Sequence, residues 1–212
     1  MVLEDFSLII GNKILLEDLN ISFPSGKINH LLGRNGVGKS CFAKACAGLI
    51  DYSGNIMISD GLLCLIGSYS NIPQNLKLKD ILKILNKNFD NSLIKHLFKL
   101  LSFDNIPDNQ LIKSMSDGQK QKIKLLFYLS SDPTIIIFDE FTSALDRTST
   151  LDIYNFFNTY LNNSRITSIN ITHYLSDLEY MDGNYYLFDN KTIELVEDKE
   201  EAVSRYLKGG LL

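Results

Sequence analysis

Alternating apolar and polar positions open the chain. Val2 to Ile10 reads as an extended, partly alternating segment. Ile14 to Phe23 alternates through Leu19, Ile21 and Phe23, and Pro24-Ser25-Gly26 then turns the chain. Lys27 to Leu32 is a short strand that runs into a glycine-rich stretch. Ser40 to Leu49 has helical character, with small residues suited to close packing and Gly48 near its end. Short strands follow at Asn55 to Ile58 and Leu62 to Ile66.

The period changes in the middle of the chain. Leu78, Ile81, Leu82 and Leu85 recur at helical spacing, as do Leu93, Ile94, Leu97 and Leu101. Two amphipathic helices are predicted, forming a small helical subdomain over residues 75–115. Its lysines, from Lys77 and Lys79 to Lys95 and Lys99, read as a solvated face. Asp117 to Ser130 is a predicted helix. The apolar run Thr134 to Phe138, bounded by Asp132-Pro133 and Asp139-Glu140, reads as a parallel strand buried on both faces. A helix over Ser149 to Leu161 and a strand over Arg165 to Thr172 come next. Tyr185 to Asp189 and Thr192 to Val196 form a predicted hairpin around Asn190-Lys191. Glu197 to Leu207 is a predicted last helix, before a loose Gly209-Gly210 end. Strands alternating with helices imply a layered α/β fold.

Composition narrows this picture. The chain has 212 residues, 45% of them hydrophobic, with 12 Phe and 10 Tyr, which fits one domain with a packed core. A net charge of −4 argues against a surface that grips nucleic acid. Cys41, Cys46 and Cys64 are an odd set without a CxxC pair, so three free thiols are expected and neither a disulfide framework nor a zinc site. The longest apolar runs fall well short of the ~18 residues of a membrane span. The opening MVLEDFSLII has acids where a secretory leader carries basic residues, so no leader is expected. His30 and His96 have no motif around them and read as structural or exposed.

Gly33-Arg34-Asn35-Gly36-Val37-Gly38-Lys39-Ser40 matches GxxxxGK[ST], the phosphate-binding P-loop. Backbone N–H groups must wrap a polyphosphate there, and side chains at the glycine positions would obstruct them. A helix starting near Lys39 points its positive end at the anion. Lys39 suits the β- and γ-phosphates and Ser40 suits Mg²⁺. At the end of the apolar strand Asp139 suits Mg²⁺, and Glu140 suits the base that orients an attacking water.

With these motifs in order, the sequence resembles the ATPase subunits of ATP-binding cassette (ABC) transporters over nearly its whole length. Gln74, in Tyr69-Ser-Asn-Ile-Pro-Gln74, resembles the Q-loop glutamine. Met115-Ser116-Asp117-Gly118-Gln119-Lys-Gln-Lys122 resembles the ABC signature. Ser143-Ala-Leu-Asp146 is similar to the D-loop, and His173, in Ile-Thr-His, to the switch histidine. The resemblance implies an α/β P-loop NTPase of ABC type: a mixed sheet core, an antiparallel β subdomain and a small helical subdomain within one domain, 1–212. It implies ATP and Mg²⁺ as ligands, with the P-loop residues and Cys41 around the nucleotide. It implies Ser40, Gln74 and Asp139 at the metal, and Glu140, His173, Lys39 and Gln74 in catalysis. Ser116, Gly118, Gln119 and Asp146 would act on the nucleotide of a second copy, most simply in a homodimer. The partner implied is an integral membrane permease subunit, at the cytoplasmic face of the membrane, and no nucleic acid is expected.

Three positions depart from the family pattern. Asp117 replaces the first signature glycine, at a helix start where an acid is favourable. Phe141 stands where proline is usual. The aromatic that stacks on adenine falls near Ile10, and Phe6 is the candidate substitute. Two other functions compete with the transporter reading: a soluble ABC-type ATPase acting on nucleic acid or the ribosome, and a regulatory module without turnover. The first would be expected to carry two cassettes, a coiled-coil insertion or basic extensions. The second would be expected to lose Glu140 or Lys39, and both are present. Between transport directions the sequence leans to export, for instance of peptide.

Overall fold

The computed structural model describes residues 1–58, 61–162 and 164–209. It has two sheets. Strands β1 (Val2–Ile10), β2 (Lys13–Ser22) and β4 (Ser53–Met57) form an antiparallel sheet in the order β2-β1-β4. The second sheet has six strands in the order β5-β6-β7-β3-β8-β9. Its members are β3 (Ile28–Gly33), β5 (Leu63–Gly67), β6 (Ile135–Asp139), β7 (Thr167–Thr172), β8 (Gly183–Asp189) and β9 (Thr192–Val196). All its pairings are parallel except the β8–β9 hairpin. The expected mixed α/β core with an antiparallel β part is therefore present.

The central strands are buried on both faces. In β6, Ile135 and Ile137 pack with Leu31, Ile169, Ile171 and Phe42, while Ile136 and Phe138 pack with Ile123, Leu126, Ile153 and Phe157. This two-sided burial is why the run is continuously apolar instead of alternating. On one face lie helix α1 (Lys39–Cys46) and the three-stranded sheet. On the other lie α2 (Leu78–Asn88), α3 (Asn91–Leu100), α4 (Asp117–Leu129) and α5 (Arg147–Tyr160). The two amphipathic helices appear where their spacing placed them. Leu78, Ile81, Leu85, Ile94 and Leu97 bury into the same apolar cluster as Ile66 and Phe138 of the sheet. Their apolar stripe is thus covered by the body of the chain and not by a separate core.

Local signals account for most ends. Ser116 caps α4 reciprocally: its Oγ accepts from the Gln119 N–H at 3.2 Å, and its own N–H donates to Gln119 Oε1 at 3.0 Å. Asp146 caps α5, accepting from the Ser149 N–H at 3.0 Å. Asn190 and Lys191 both take positive φ, 46° and 62°, as a two-residue hairpin turn requires. Two features differ from expectation. A short helix, α6 (Leu175–Tyr180), follows β7, and the last helix, α7 (Lys199–Gly209), continues through Gly209. Gly210, the other half of the expected loose end, lies outside the described residues.

The sheet order positions the chemistry. β6, β7 and β3 are neighbours, and so is β5 beside β6. Their carboxyl ends lie level, with Gly67 opposite Asp139, Asp139 opposite Ile171 and Thr172 opposite Leu32. The loops carrying Gln74, Glu140, His173 and the P-loop therefore leave the sheet along one edge, where open parallel sheets bind ligands.

Candidate active site

Gly36 and Gly38 adopt φ of 78° and 122°, which only glycine takes without strain. At Gly38 a Cβ would lie 2.9 Å from Leu15 Cδ1, so β2 also packs too close for a side chain there. The loop curls around the Lys39 ammonium, which donates to the carbonyls of Gly33 and, at 3.1 Å, Arg34. Lys39 is only 6% exposed. Burial lowers its pKa, and the nearby Glu140 and Asp139 carboxylates oppose that shift. Lys13 of β2 closes the loop from outside, donating to Gly36 O at 3.2 Å.

Two acids at the end of β6 face this loop. Ser40 Oγ donates to Asp139 Oδ1 at 3.1 Å, joining α1 to β6 through two hard oxygen donors. Burial raises the Asp139 pKa, and the Ser40 hydrogen bond opposes it. Glu140 turns away with φ of 52°. Its N–H donates to Ile171 O at 3.0 Å, and its Oε1 lies 3.1 Å from His173 Nδ1. Glu140 directly follows β6 and His173 directly follows β7, so this contact is tertiary.

A cavity of about 470 Å³ is lined by Asn35, Gly36, Gly38, Lys39, Ser40, Cys41, Glu140 and His173, together with Ile10, Lys13 and Leu15. A second, of about 250 Å³, is lined by Gln74, Asp117, Lys120, Gln121, Ser143 and Glu140, among others. Glu140 belongs to both. Most predicted residues thus converge. Gly33 and Arg34 sit behind the loop, beside Phe188 and Tyr206, and Val37 packs into the apolar core. Ser116, Gly118, Gln119 and Asp146 line neither cavity.

Phe6 corrects an expectation. It is 0% exposed and stacks on Tyr52 with ring centroids 5.2 Å apart, so it cannot meet a base. Ile10, 41% exposed, lines the cavity with Lys13. Lys13 and Leu15 were missed by the motif reading; both lie at the start of β2, some twenty residues before the P-loop they meet in the fold. Tyr69 was missed as well. It stands near Asp139, which together with burial raises the phenol's pKa, and Lys44 lies over its ring.

Gly118 is buried, and a Cβ there would fall 2.2 Å from Ser149 Oγ. That hydroxyl donates to Asp146 Oδ2 at 2.7 Å. The glycine therefore lets the start of α4 seat against the capped start of α5. Gly118→Ala is expected to displace Ser149, loosen the Asp146 cap and cost roughly 1–3 kcal/mol of stability. Thermal unfolding checks this, at about 2–4 °C per kcal/mol for a chain of this size. An unchanged melting temperature would refute the close packing.

Across residues 16–143 the chain matches the family model described as ABC transporter. It is 41% identical over 210 residues to the "Probable peptide export ATP-binding protein YydI" of Bacillus subtilis (strain 168), covering 98% of this chain and 99% of that one. The chain belongs to the ABC transporter family. It is an ATP-binding, ATP-hydrolysing transporter subunit. The ABC fold is also that of an ABC transporter in an inward-facing conformation, with TM-score 0.81 at 18% identity, over 98% of this chain and 88% of that one. A bacterial Atm1-family ABC exporter with ATP bound gives TM-score 0.77 at 19% identity, over 98% of this chain but only 41% of the exporter chain. Among the described residues of this ABC subunit, no helix is long and apolar enough to cross a membrane.

Proposed function

We propose that this ABC subunit powers peptide export through a separate integral membrane subunit, acting as one domain, 1–212, in a head-to-tail homodimer at the cytoplasmic face of the membrane. The observation that carries the catalytic part is the Glu140–His173 pair, 3.1 Å apart, in one cavity with Lys39 and Ser40. Glu140 is the base that orients water for attack on the γ-phosphate, and His173 holds that carboxylate and touches the phosphate. Lys39 and the P-loop N–H groups bind the β- and γ-phosphates. Export of peptide rests on the near full-length similarity to the Bacillus protein.

Ser40 and Asp139 fit Mg²⁺, with two oxygen donors already adjacent. Among the described residues no group of three or more His, Cys, Asp or Glu side chains is placed to hold a metal alone. That suits an ion completed by phosphate oxygens and water, with Gln74 reaching it from the neighbouring cavity. When bound, Mg²⁺ neutralises charge developing on the phosphates.

Ser116, Gly118, Gln119 and Asp146 stand clear of the P-loop cavity, which supports their serving the nucleotide of a second copy. Ser116, at the start of α4, offers a helix N-terminus to the γ-phosphate. Asp117 is already paired with Lys120 at 3.2 Å, which reduces its repulsion of that phosphate.

Among the described residues lining the P-loop cavity, Ile10, Leu15 and the Lys13 stem offer adenine an apolar surface. Ile10→Tyr is expected to tighten ATP binding about three- to tenfold, since base–aromatic stacking is worth ~1–3 kcal/mol against alanine. Nucleotide titration checks this, and an unchanged Kd would move the base elsewhere. The transport direction is tested in cells. Replacing the gene by one encoding Glu140→Gln is expected to stop release of a peptide into the medium. An unchanged secreted peptide profile, with loss of uptake of a solute instead, would overturn export.

A further inference from the structure

Beneath the site lies a buried carboxylate outside every motif. Asp177, on α6, is 1% exposed. Three side chains donate to it. Thr142 Oγ1 lies 3.1 Å from Oδ1, Tyr154 Oη lies 2.6 Å from Oδ1, and Asn170 Nδ2 lies 3.1 Å from Oδ2. Each donor belongs to a different functional element. Thr142 is two residues past Glu140. Asn170, on β7, is three residues before His173. Tyr154 is on α5, whose first turn is capped by Asp146.

The network continues one shell deeper and fixes its own proton positions. Asn170 Nδ2 also lies 3.4 Å from His30 Nδ1, so that ring nitrogen accepts. His30 Nε2 then carries the proton and donates to Met181 O at 3.0 Å. Burial pushes the His30 pKa down to about 4, in keeping with a neutral ring. Both amide hydrogens of Asn170 are thereby used, and the second is aimed at Asp177.

We infer that Asp177 is a positioning residue for ATP hydrolysis, its carboxylate tying the loop after Glu140 to the strand that presents His173. The Glu140–His173 contact spans two strands, and each side chain is only as well placed as its loop. Glu140 sits at positive φ; its N–H bonds Ile171 O, and Gln121 Nε2 donates to Phe141 O at 3.0 Å, so the backbone at the start of the loop is held. Beyond it Thr142, 7% exposed, is the next side chain with a buried polar anchor, and that anchor is Asp177. A carboxylate is suited to the task because it accepts from all three donors and offers none. Asparagine would turn an N–H₂ group toward a hydroxyl or amide that already donates, in a place with no water exposure.

This inference rests on the proposed roles of Glu140 and His173. Its test measures kcat and ATP Kd for the full chain, at a temperature where circular dichroism shows every variant folded. Asp177→Asn is expected to lower kcat about ten- to a hundredfold with Kd changed less than twofold, as misplaced reacting groups do. Thr142→Val keeps the shape and removes the hydroxyl, and is expected to lower kcat about tenfold. Thr142→Ser keeps the hydroxyl and is expected to retain kcat within about twofold. A packing role would give the reverse order, with Val benign and Ser harmful. That order, or full kcat in folded Thr142→Val, would overturn the inference. Glu140→Gln and His173→Ala run alongside as references. If they too turn over normally, the assignment of the site itself fails. If they are inactive while Thr142→Val and Asp177→Asn are not, only the positioning role fails.

Discussion

Glu140→Gln is expected to cut ATP turnover by at least ~10²-fold while leaving ATP binding intact, and to accumulate an ATP-bound dimer. The substitution changes almost nothing in the geometry. Glutamine keeps the length of the side chain, keeps an oxygen for the contact with His173 Nδ1, and leaves the Glu140 N–H bond to Ile171 O untouched. It removes the carboxylate's negative charge and with it the ability to take a proton from water. On the proposed placement the phosphates meet Lys39, Ser40 and the P-loop N–H groups, and the substitution alters none of these groups; it withdraws only the Glu140 charge that helps sustain the Lys39 cation. Binding and turnover should therefore separate cleanly. If the γ-phosphate joins two copies, blocking its removal keeps them joined. Single-turnover kinetics and light scattering with and without ATP check both halves. Full turnover would remove Glu140 from the role of base. A monomer with ATP bound would remove the homodimer.

Lys39→Ala is expected to fail one step earlier, at nucleotide binding. The Lys39 ammonium is the cation at the centre of the loop, held by the Gly33 and Arg34 carbonyls. Charge-assisted hydrogen bonds are worth ~1.5–3 kcal/mol, which corresponds to a Kd raised about ten- to a hundredfold. The alanine also leaves two loop carbonyls without that donor, so the loop's curvature loses support. Burial already works against the charge on this lysine, and Asp139 and Glu140 sustain it. Removing the cation leaves those two acids facing a polyphosphate with one positive charge fewer between them. Titration with a fluorescent nucleotide reads the effect directly. Unchanged affinity would place the phosphates elsewhere.

The elements legible in the sequence were those whose physical demands are local. The strand β6 announced itself because the apolar run Ile135–Phe138 between Asp132-Pro133 and two acids has few other uses. The P-loop was legible because close backbone approach to phosphate restricts its residues to a recognisable set. Asn190-Lys191 marked a hairpin between alternating segments. Residues whose importance is tertiary were not legible. Asp177 draws its donors from positions 7, 23 and 35 residues away, and its own helix is one of six residues with no periodic stripe. Phe6 misled for a related reason. Alternation along β1 places it on the inner face, where Phe42 and Tyr52 meet it, and only the sheet's packing shows which face is inner. The sequence suggested a phosphate role for Gly118 but not its packing against Ser149, which depends on α5 and is visible only in the folded chain.

The central claim is that this ABC subunit works in pairs on a membrane partner. Its most direct test is to purify the tagged chain from gently solubilised native membranes and determine the mass and composition of the complex. The account predicts two copies of this chain with a stoichiometric multi-span membrane protein. Recovery with ribosomes or nucleic-acid proteins, or as a species without any membrane protein, would contradict it.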